Sequence, residues 1–407
     1  MKREILHVDV NNAFLSWLAV DRLEKGEKLD IRTIPSVIGG DEKQRHGIVL
    51  AKSNLAKQFG IKTGEPLFSA RKKCPTLRIY ESNFKVYKKY SDMLYKLLLE
   101  YSYKVERFSI DECFVDMTEF LNGKKLIDVA YEISKRVREE LKFTVNIGVA
   151  HNKLLAKMAS DFQKPDRVHT LYEKEIQRKM WNLPISELFM VGKRTLPKLY
   201  NMNIKKIGDL ALADKELLIK KFGKFGKMMW EYANGIDNAE VVFTMQKPKC
   251  VGNSTTVSQD INDLEKIEEV LLALTEHTTY RLRKIKMLGN VVSVQLRTSE
   301  FKNYSHQRKL DFSTNSTKEI FNVAKQLTRQ MYKGESIRLI GIRVDNLCEE
   351  AEKQISIFEN NNIKKQEKLD KVVDLIKDKY GYETITRAGD MKHTKNINRK
   401  ESLLQKV

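Results

Sequence analysis

Hydrophobic positions along this chain switch between a short continuous rhythm and a helical one, and the switches mark its elements. Ile5, Leu6, Val8 and Val10 form a compact apolar run that predicts a strand over residues 4–10. Phe84, Tyr87, Ser91, Leu94, Leu98 and Tyr101 fall on one face of a helix predicted over 84–103. Two strand-like runs follow at 104–110 and 113–118, close enough to pair as a hairpin. Leu126, Val129, Ile133, Val137 and Leu141 stripe a second helix over 125–141, and the β-branched stretch 144–149 closes the series as a strand. The order β-α-β-β-α-β is that of a ferredoxin-like sheet. The long segment between Val10 and Phe84 must then be an inserted subdomain.

After Lys164-Pro165 the pattern changes to short helices and glycine turns, through residue 235. Residues 236–250 read as a linker. Two long helical patterns (263–286 and 317–333) are each followed by a β-rich run (290–298 and 337–345), which predicts a second small α+β domain over 251–345. Beyond 346 the chain is Asn/Lys/Glu-rich, with one amphipathic stretch around 368–380, and is expected to be a partly disordered tail.

The chain has 407 residues, of which 41% are hydrophobic, enough for several packed cores. Its net charge is +20, from 74 Lys+Arg against 54 Asp+Glu. Part of that excess sits in folded-looking regions, since residues 167–235 carry 14 Lys+Arg and 7 Asp+Glu. A polyanionic partner follows, with nucleic acid ahead of a membrane surface. No apolar run approaches the ~18 residues of a membrane span, and the charged start MKREILHVDV is unlike a signal peptide. Cys74, Cys113, Cys250 and Cys348 form no CxxC pair, so neither a disulfide framework nor a cysteine zinc site is expected. A cytoplasmic location fits best.

Asp9 closes the first strand, and Asp111 and Glu112 lie in the tight connection of the hairpin. A ferredoxin-like sheet can make these strands neighbours and so gather three carboxylates. Clustered acids repel one another unless cations lie between them. Hard oxygen ligands suit magnesium or manganese, and two such ions can clamp the attacking and leaving oxygens of an in-line phosphoryl displacement. An Asp-Glu pair taken alone reads first as polar turn residues. Both acids can reach one site only if the turn breaks strand alternation.

The stretch from Val105 to Phe114, VERFSIDECF, resembles the catalytic motif of Y-family translesion DNA polymerases of the DinB/UmuC type. HVDVNNAF from His7 to Phe14 resembles that family's first metal motif, 144–165 its third core motif, and 47–75 its fingers segment. The four occur in family order, and the resemblance covers residues 1–345. It implies a palm (1–10 and 77–166), fingers (11–76), a helix-hairpin-helix thumb (167–235) and a little finger (251–345). By the same resemblance Asp9, Asp111, Glu112 and the Val10 carbonyl hold two Mg2+ ions, for which Mn2+ can substitute. Phe14 would lie beneath the incoming sugar as a steric gate, and Lys164 would contact the triphosphate.

The fingers depart from the family pattern, which usually has Tyr and Arg where Asn54 and Lys57 stand. Lys57 still supplies a cation but no bidentate fork, and Asn54 lacks an aromatic body. Lys52 nearby can substitute for either.

For DNA, residues 183–210 resemble a helix-hairpin-helix whose turn Gly192-Lys193-Arg194 offers backbone N–H groups to a phosphate. Arg281, Arg283 and Lys284 form a basic cluster expected to grip backbone in the little finger. In the tail, Gln354, Ile357 and Phe358 belong to a pentapeptide, 354–358, that resembles the bacterial sliding-clamp motif. The expectation is a monomeric, template-directed DNA polymerase of the translesion type, acting on primer-template DNA and dNTP. It would have low processivity and no proofreading, and would serve DNA damage tolerance. A polymerase-like DNA-binding subunit with impaired dNTP binding is the alternative, and a two-metal nuclease a more distant one.

Overall fold

The computed structural model describes residues 2–40, 47–244, 247–350 and 361–385. The chain divides near residue 245 into two compact units. In the first, the order is β1 (Ile5–Val10), α1 (Ala13–Glu24), β2 (Ser36–Gly39), β3 (Val49–Lys52), α2 (Asn54–Gln58), α3 (Leu67–Lys73), β4 (Arg78–Glu81) and α4 (Phe84–Leu99). Then come β5 (Val105–Arg107), β6 (Glu112–Asp116), α5 (Leu126–Arg136), β7 (Val145–Ala150), α6 (Lys153–Ser160) and β8 (Val168–Thr170). Five short helices complete the unit: α7 (Ile176–Lys179), α8 (Leu196–Tyr200), α9 (Ile207–Ala211), α10 (Lys215–Phe222) and α11 (Lys224–Ala233).

The main sheet is ordered β5-β6-β1-β7-β8, and its first four strands pair antiparallel in the ferredoxin-like arrangement. β1 is buried at all six positions because it is the middle strand and is covered on both faces. Its even residues, Leu6, Val8 and Val10, enter a core with Tyr87 and Tyr90 of α4 and Ile133 of α5. On the opposite face, Ile5 packs with Phe114 and with Leu154 and Leu155 of α6. Alternation along the strand therefore turns His7 and Asp9 toward α6. That helix lies almost on the sheet, because a Cβ at Gly148 of β7 would come within 1.8 Å of the Ala156 carbonyl oxygen.

Two expected boundaries shift. Helix α1 buries Leu15, Trp17, Leu18 and Val20 in the main core, so the inserted subdomain starts after it and not at residue 11. The subdomain is the small sheet β3-β2-β4, with its own core of Val37, Val49, Ile61, Leu67 and Leu77. At the other end, β8 extends the main sheet past residue 166 by pairing parallel to β7.

The second unit holds β9 (Cys250–Ile261), α12 (Leu264–Lys284), β10 (Met287–Thr298), β11 (Asn303–Thr314), α13 (Thr317–Met331), β12 (Ile337–Glu349) and α14 (Asn361–Tyr380). Its sheet, ordered β11-β10-β12-β9, is antiparallel throughout. Val292, Val294 and Leu296 of β10 pack with Leu271 and Leu274 of α12 and Ile320 of α13. Ser293 and Gln295 point to the other face, which no helix covers among the described residues.

The amphipathic stretch expected within a partly disordered tail is instead a helix docked on α12. Asp370, Asp374 and Asp378 of α14 recur every fourth residue and so share one face. Arg283 reaches Asp374 through Nε (2.6 Å) and Nη2 (2.8 Å), and Lys284 lies 3.1 Å from Asp378. Lys377 is buried 3.5 Å from Glu276, with its ammonium 4.0 Å from the centroid of the Tyr382 ring.

Candidate active site

In the register of β1 and β6, Asp9 stands directly opposite Glu112, so the two side chains share the face that looks at α6. Asp111 precedes the strand, and its carbonyl accepts the Val10 N–H at 3.0 Å. The Phe108 and Ser109 N–H groups both turn back onto the Glu112 carbonyl, and this tight turn frees Asp111 from strand alternation. Asp9, Val10 and Asp111 line a cleft of ≈ 330 Å³ together with Asn12, Phe14, Lys52, Asn54, Lys57 and Lys164. Glu112 is not among its lining residues.

Two lysines hold the acids. Lys164 Nζ lies 2.7 Å from Asp9, and Lys157 Nζ lies 2.6 Å from Glu112 and 3.9 Å from Asp9. His7 is fully buried beside them, with Nδ1 2.8 Å from Ser160 Oγ and Nε2 3.7 Å from the Glu112 carboxylate. Burial pushes Asp9 up to about 6, with the pull of Lys164 only partly offsetting it. Burial acts the same way on Glu112, but His7 and Lys157 outweigh it and bring the group down to about 2. Burial keeps His7 below the usual imidazole range.

Among the described residues no three His, Cys, Asp or Glu side chains gather closely enough to hold an ion unaided. The donor set nevertheless fits a divalent cation. It consists of hard carboxylate oxygens, and each of the two paired acids already draws in an ammonium.

Lys164 is placed by hydrogen bonds that the sequence reading did not single out. Asn146 of β7 donates to the carbonyls of Ser160 (2.9 Å) and Gln163 (2.7 Å). Asn11 accepts from the Asp166 N–H at 2.9 Å and donates to Asn146 at 3.1 Å. These amides tie the 160–166 turn to the sheet edge. Lys157 and His7 were missed as well. Their signal was the period-two register of HVD and the helical spacing of Lys153, Lys157 and Asp161.

Phe14 faces the cleft from α1. Its ring stacks on Tyr87 and meets Phe84 at 65° with centroids 5.7 Å apart. Asn54, at the start of α2, lies 3.3 Å from Asn12 through their amides, and Lys57 follows one turn later.

Gly192, Lys193 and Arg194 are all exposed at a turn before α8, and the two cations have no ion pair among the described residues. Asn203 takes a left-handed φ of 61°, which Asn tolerates. The basic cluster of the second unit is different, and here the expectation is corrected. Arg283 is buried and committed to Asp374 and the Asn315 carbonyl, Lys284 to Asp378, and Arg281 Nη1 donates to the Gly252 carbonyl at 3.1 Å. The Asp face of α14 pairs with this patch, so Arg283 is taken up internally while the Lys284 side chain stays exposed. The open polar surface of this unit is the helix-free sheet face, a cleft of ≈ 680 Å³ lined by residues such as Ser254, Ser293, Gln295, Gln307 and Arg343. Gln354, Ile357 and Phe358 lie outside the described residues. No helix among the described residues is long and apolar enough to cross a membrane.

Comparison with known proteins agrees with this geometry. A model of the impB/mucB/samB family matches residues 8–161, and one of the impB/mucB/samB family C-terminal domain matches 248–357. DNA polymerase IV of Clostridium acetobutylicum is 48% identical over 388 residues, covering 95% of this chain and 98% of the relative. DNA polymerase IV of Acetivibrio thermocellus is 36% identical over 98% of this chain and its own full length. A solved chimeric Y-family DNA polymerase superposes with a TM-score of 0.75 at 23% identity, over 84% of this chain and 98% of that one. With fold and relatives in agreement, the chain belongs to the impB/mucB/samB family, as a homologue of bacterial DNA polymerase IV.

Proposed function

We propose that this translesion DNA polymerase joins a dNTP to a primer 3′ hydroxyl in the cleft between Asp9, Asp111 and Lys57. The hydroxyl attacks the α-phosphate, the new phosphodiester forms, and pyrophosphate leaves. The observation that carries the assignment is the register: Asp9 faces Glu112 across β1 and β6, with Asp111 bonded to Val10 beside them. Asp9, Asp111, Glu112 and the Val10 carbonyl would hold two Mg2+ ions, which supply Lewis acidity toward the phosphate oxygens. Lys164 sits at the cleft wall to meet the triphosphate, Phe14 lies where a sugar would rest, and Asn54 and Lys57 form the fingers side. In this assignment the main sheet is the palm, the β3-β2-β4 sheet the fingers, α7–α11 the thumb and the second unit the little finger. Support for DNA binding comes from the unpaired Lys193 and Arg194 at the Gly192 turn. The peptide 354–358 would recruit a sliding clamp, and the enzyme would act as a cytoplasmic monomer.

Primer extension with Mg2+ tests this reading. Wild type should extend a primer on a template, and Asp111→Ala or Glu112→Ala should abolish extension while leaving primer-template binding nearly intact. Degradation of the primer would point to a nuclease, and binding without extension to a non-catalytic subunit.

A further inference from the structure

The fingers wall of the cleft carries an ammonium that the assignment above does not use. Lys52 ends β3 and lines the same cleft as Lys57, Asp9 and Lys164. Among the described residues only one of its three N–H donors has a partner, the Thr63 hydroxyl at 3.2 Å. The nearby Glu65 is held by Lys73 at 2.5 Å. The Lys57 ammonium has no hydrogen bond or ion pair among the described residues. Burial first and the neighbouring Lys57 second pull Lys52 below the usual ammonium range, with Glu65 offsetting them only in part, so the two cations repel each other across this wall. Like charges whose one nearby acid is already held by another cation are relieved by an anion placed between them. Of the acids opposite, Asp9 is paired with Lys164 and Asp111 is bonded to the Ser109 hydroxyl, which leaves the polyphosphate of the incoming nucleotide as the matching group.

We propose that Lys52 binds the triphosphate of the incoming nucleotide, and that Lys52 and Lys57 together form a split two-ammonium grip in place of a single guanidinium fork. An ammonium is a point charge with rotatable donors, so two of them can contact separate phosphate oxygens that one planar fork would take as a pair. The inference rests on the polymerase assignment.

The test is single-turnover insertion of one dNTP by wild type, Lys52→Ala, Lys52→Arg and Lys57→Ala, with inorganic tripolyphosphate as a competitor. Loss of one charge-assisted contact should weaken apparent dNTP affinity about tenfold in Lys52→Ala. Inhibition by tripolyphosphate should weaken by a similar factor, and Lys52→Arg should recover most of both. Melting temperature and primer-template affinity should stay at wild-type values. An unchanged dNTP affinity in Lys52→Ala overturns the proposal, as does a loss for dNTP without a matching loss for tripolyphosphate. So does a loss that tracks a lowered melting temperature and that arginine does not restore. Failure of wild type itself to insert a nucleotide would overturn the polymerase assignment instead.

Discussion

The Phe14 ring lies flat against Tyr87, with centroids 4.5 Å apart and planes within 14° of each other. Tyr87 is fully buried, so the inner face of Phe14 rests on a fixed support while its outer side faces the cleft. A ribose 2′ hydroxyl pressed against that ring must give up water without gaining a partner. Such burial costs about 1–3 kcal/mol. Phe14→Ala should therefore raise ribonucleotide insertion at least about tenfold relative to the matched deoxyribonucleotide. Tyr87→Leu, which removes the support and leaves the gate, should shift the ratio in the same direction by less. Single-nucleotide insertion of dNTP and rNTP at one salt concentration measures both, and an unchanged ratio in Phe14→Ala would remove that residue from the site.

DNA binding should depend on the open sheet face of the second unit and not on the end of α12. Lys309 and Arg343 project from that face, in register with Val291 and Ser293. Replacing either with Ala should weaken primer-template binding and lower the salt slope by about 1. Arg283→Ala should leave that slope intact and destabilise the unit by about 3 kcal/mol, because Asp374 loses the guanidinium it is paired with. Binding titrations across a KCl series, alongside urea unfolding, separate the two behaviours.

Acidification should loosen the same unit. His277 is buried on α12 against the Tyr382 ring, with Arg281 and Lys377 nearby. Burial first, and those two cations second, bring it down to about 4. The folded form thus rejects a proton that the unfolded chain accepts below about pH 6.5. Stability is complete above that pH and falls as pH drops toward 4, by on the order of 2–3 kcal/mol. Urea unfolding between pH 4.5 and 7.5 should show this slope, and His277→Gln should flatten it. Equal slopes in both proteins would assign the pH dependence to other groups.

Recruitment by a sliding clamp is tested apart from catalysis. Changing Ile357 and Phe358 together to Ala should leave extension without the clamp unchanged and abolish stimulation by the bacterial clamp. Co-elution of the double variant with the clamp at full strength would mark the peptide as a chance match.

The catalytic half of the fold was legible because its central strands β1 and β7 are buried throughout and its helices carry clear apolar stripes. Leu6, Val8 and Val10 announced the middle strand, and the hairpin before Glu112 followed from two adjacent runs. Strands β9 and β11 were not foreseen, for the opposite reason. NYSHQRKLDFST has polar residues on both faces of an edge strand, and its pairing with β10 is decided by backbone hydrogen bonds that leave little trace in composition. The basic cluster at Arg283 misled because sequence shows charge but not what lies against it. The matching signal was present in Asp370, Asp374 and Asp378, spaced for one helical face. The carboxylates were singled out by motif, whereas their lysine partners needed the face assignment of β1.

Gly148 sets how far those lysines have to reach. It stands opposite His7 in the sheet, and α6 crosses it with backbone against backbone. A single β-carbon there would meet the Ala156 carbonyl and the Ser160 N–H, neither of which can rotate aside. The helix would have to lift, and Lys157 would retreat from Glu112 with it, as would the Ser160 hydroxyl that fixes His7. The charge balance of the catalytic centre is thus governed from a position that bears no charge and no side chain. An alanine at 148, the smallest possible addition, should act on this enzyme as an active-site substitution.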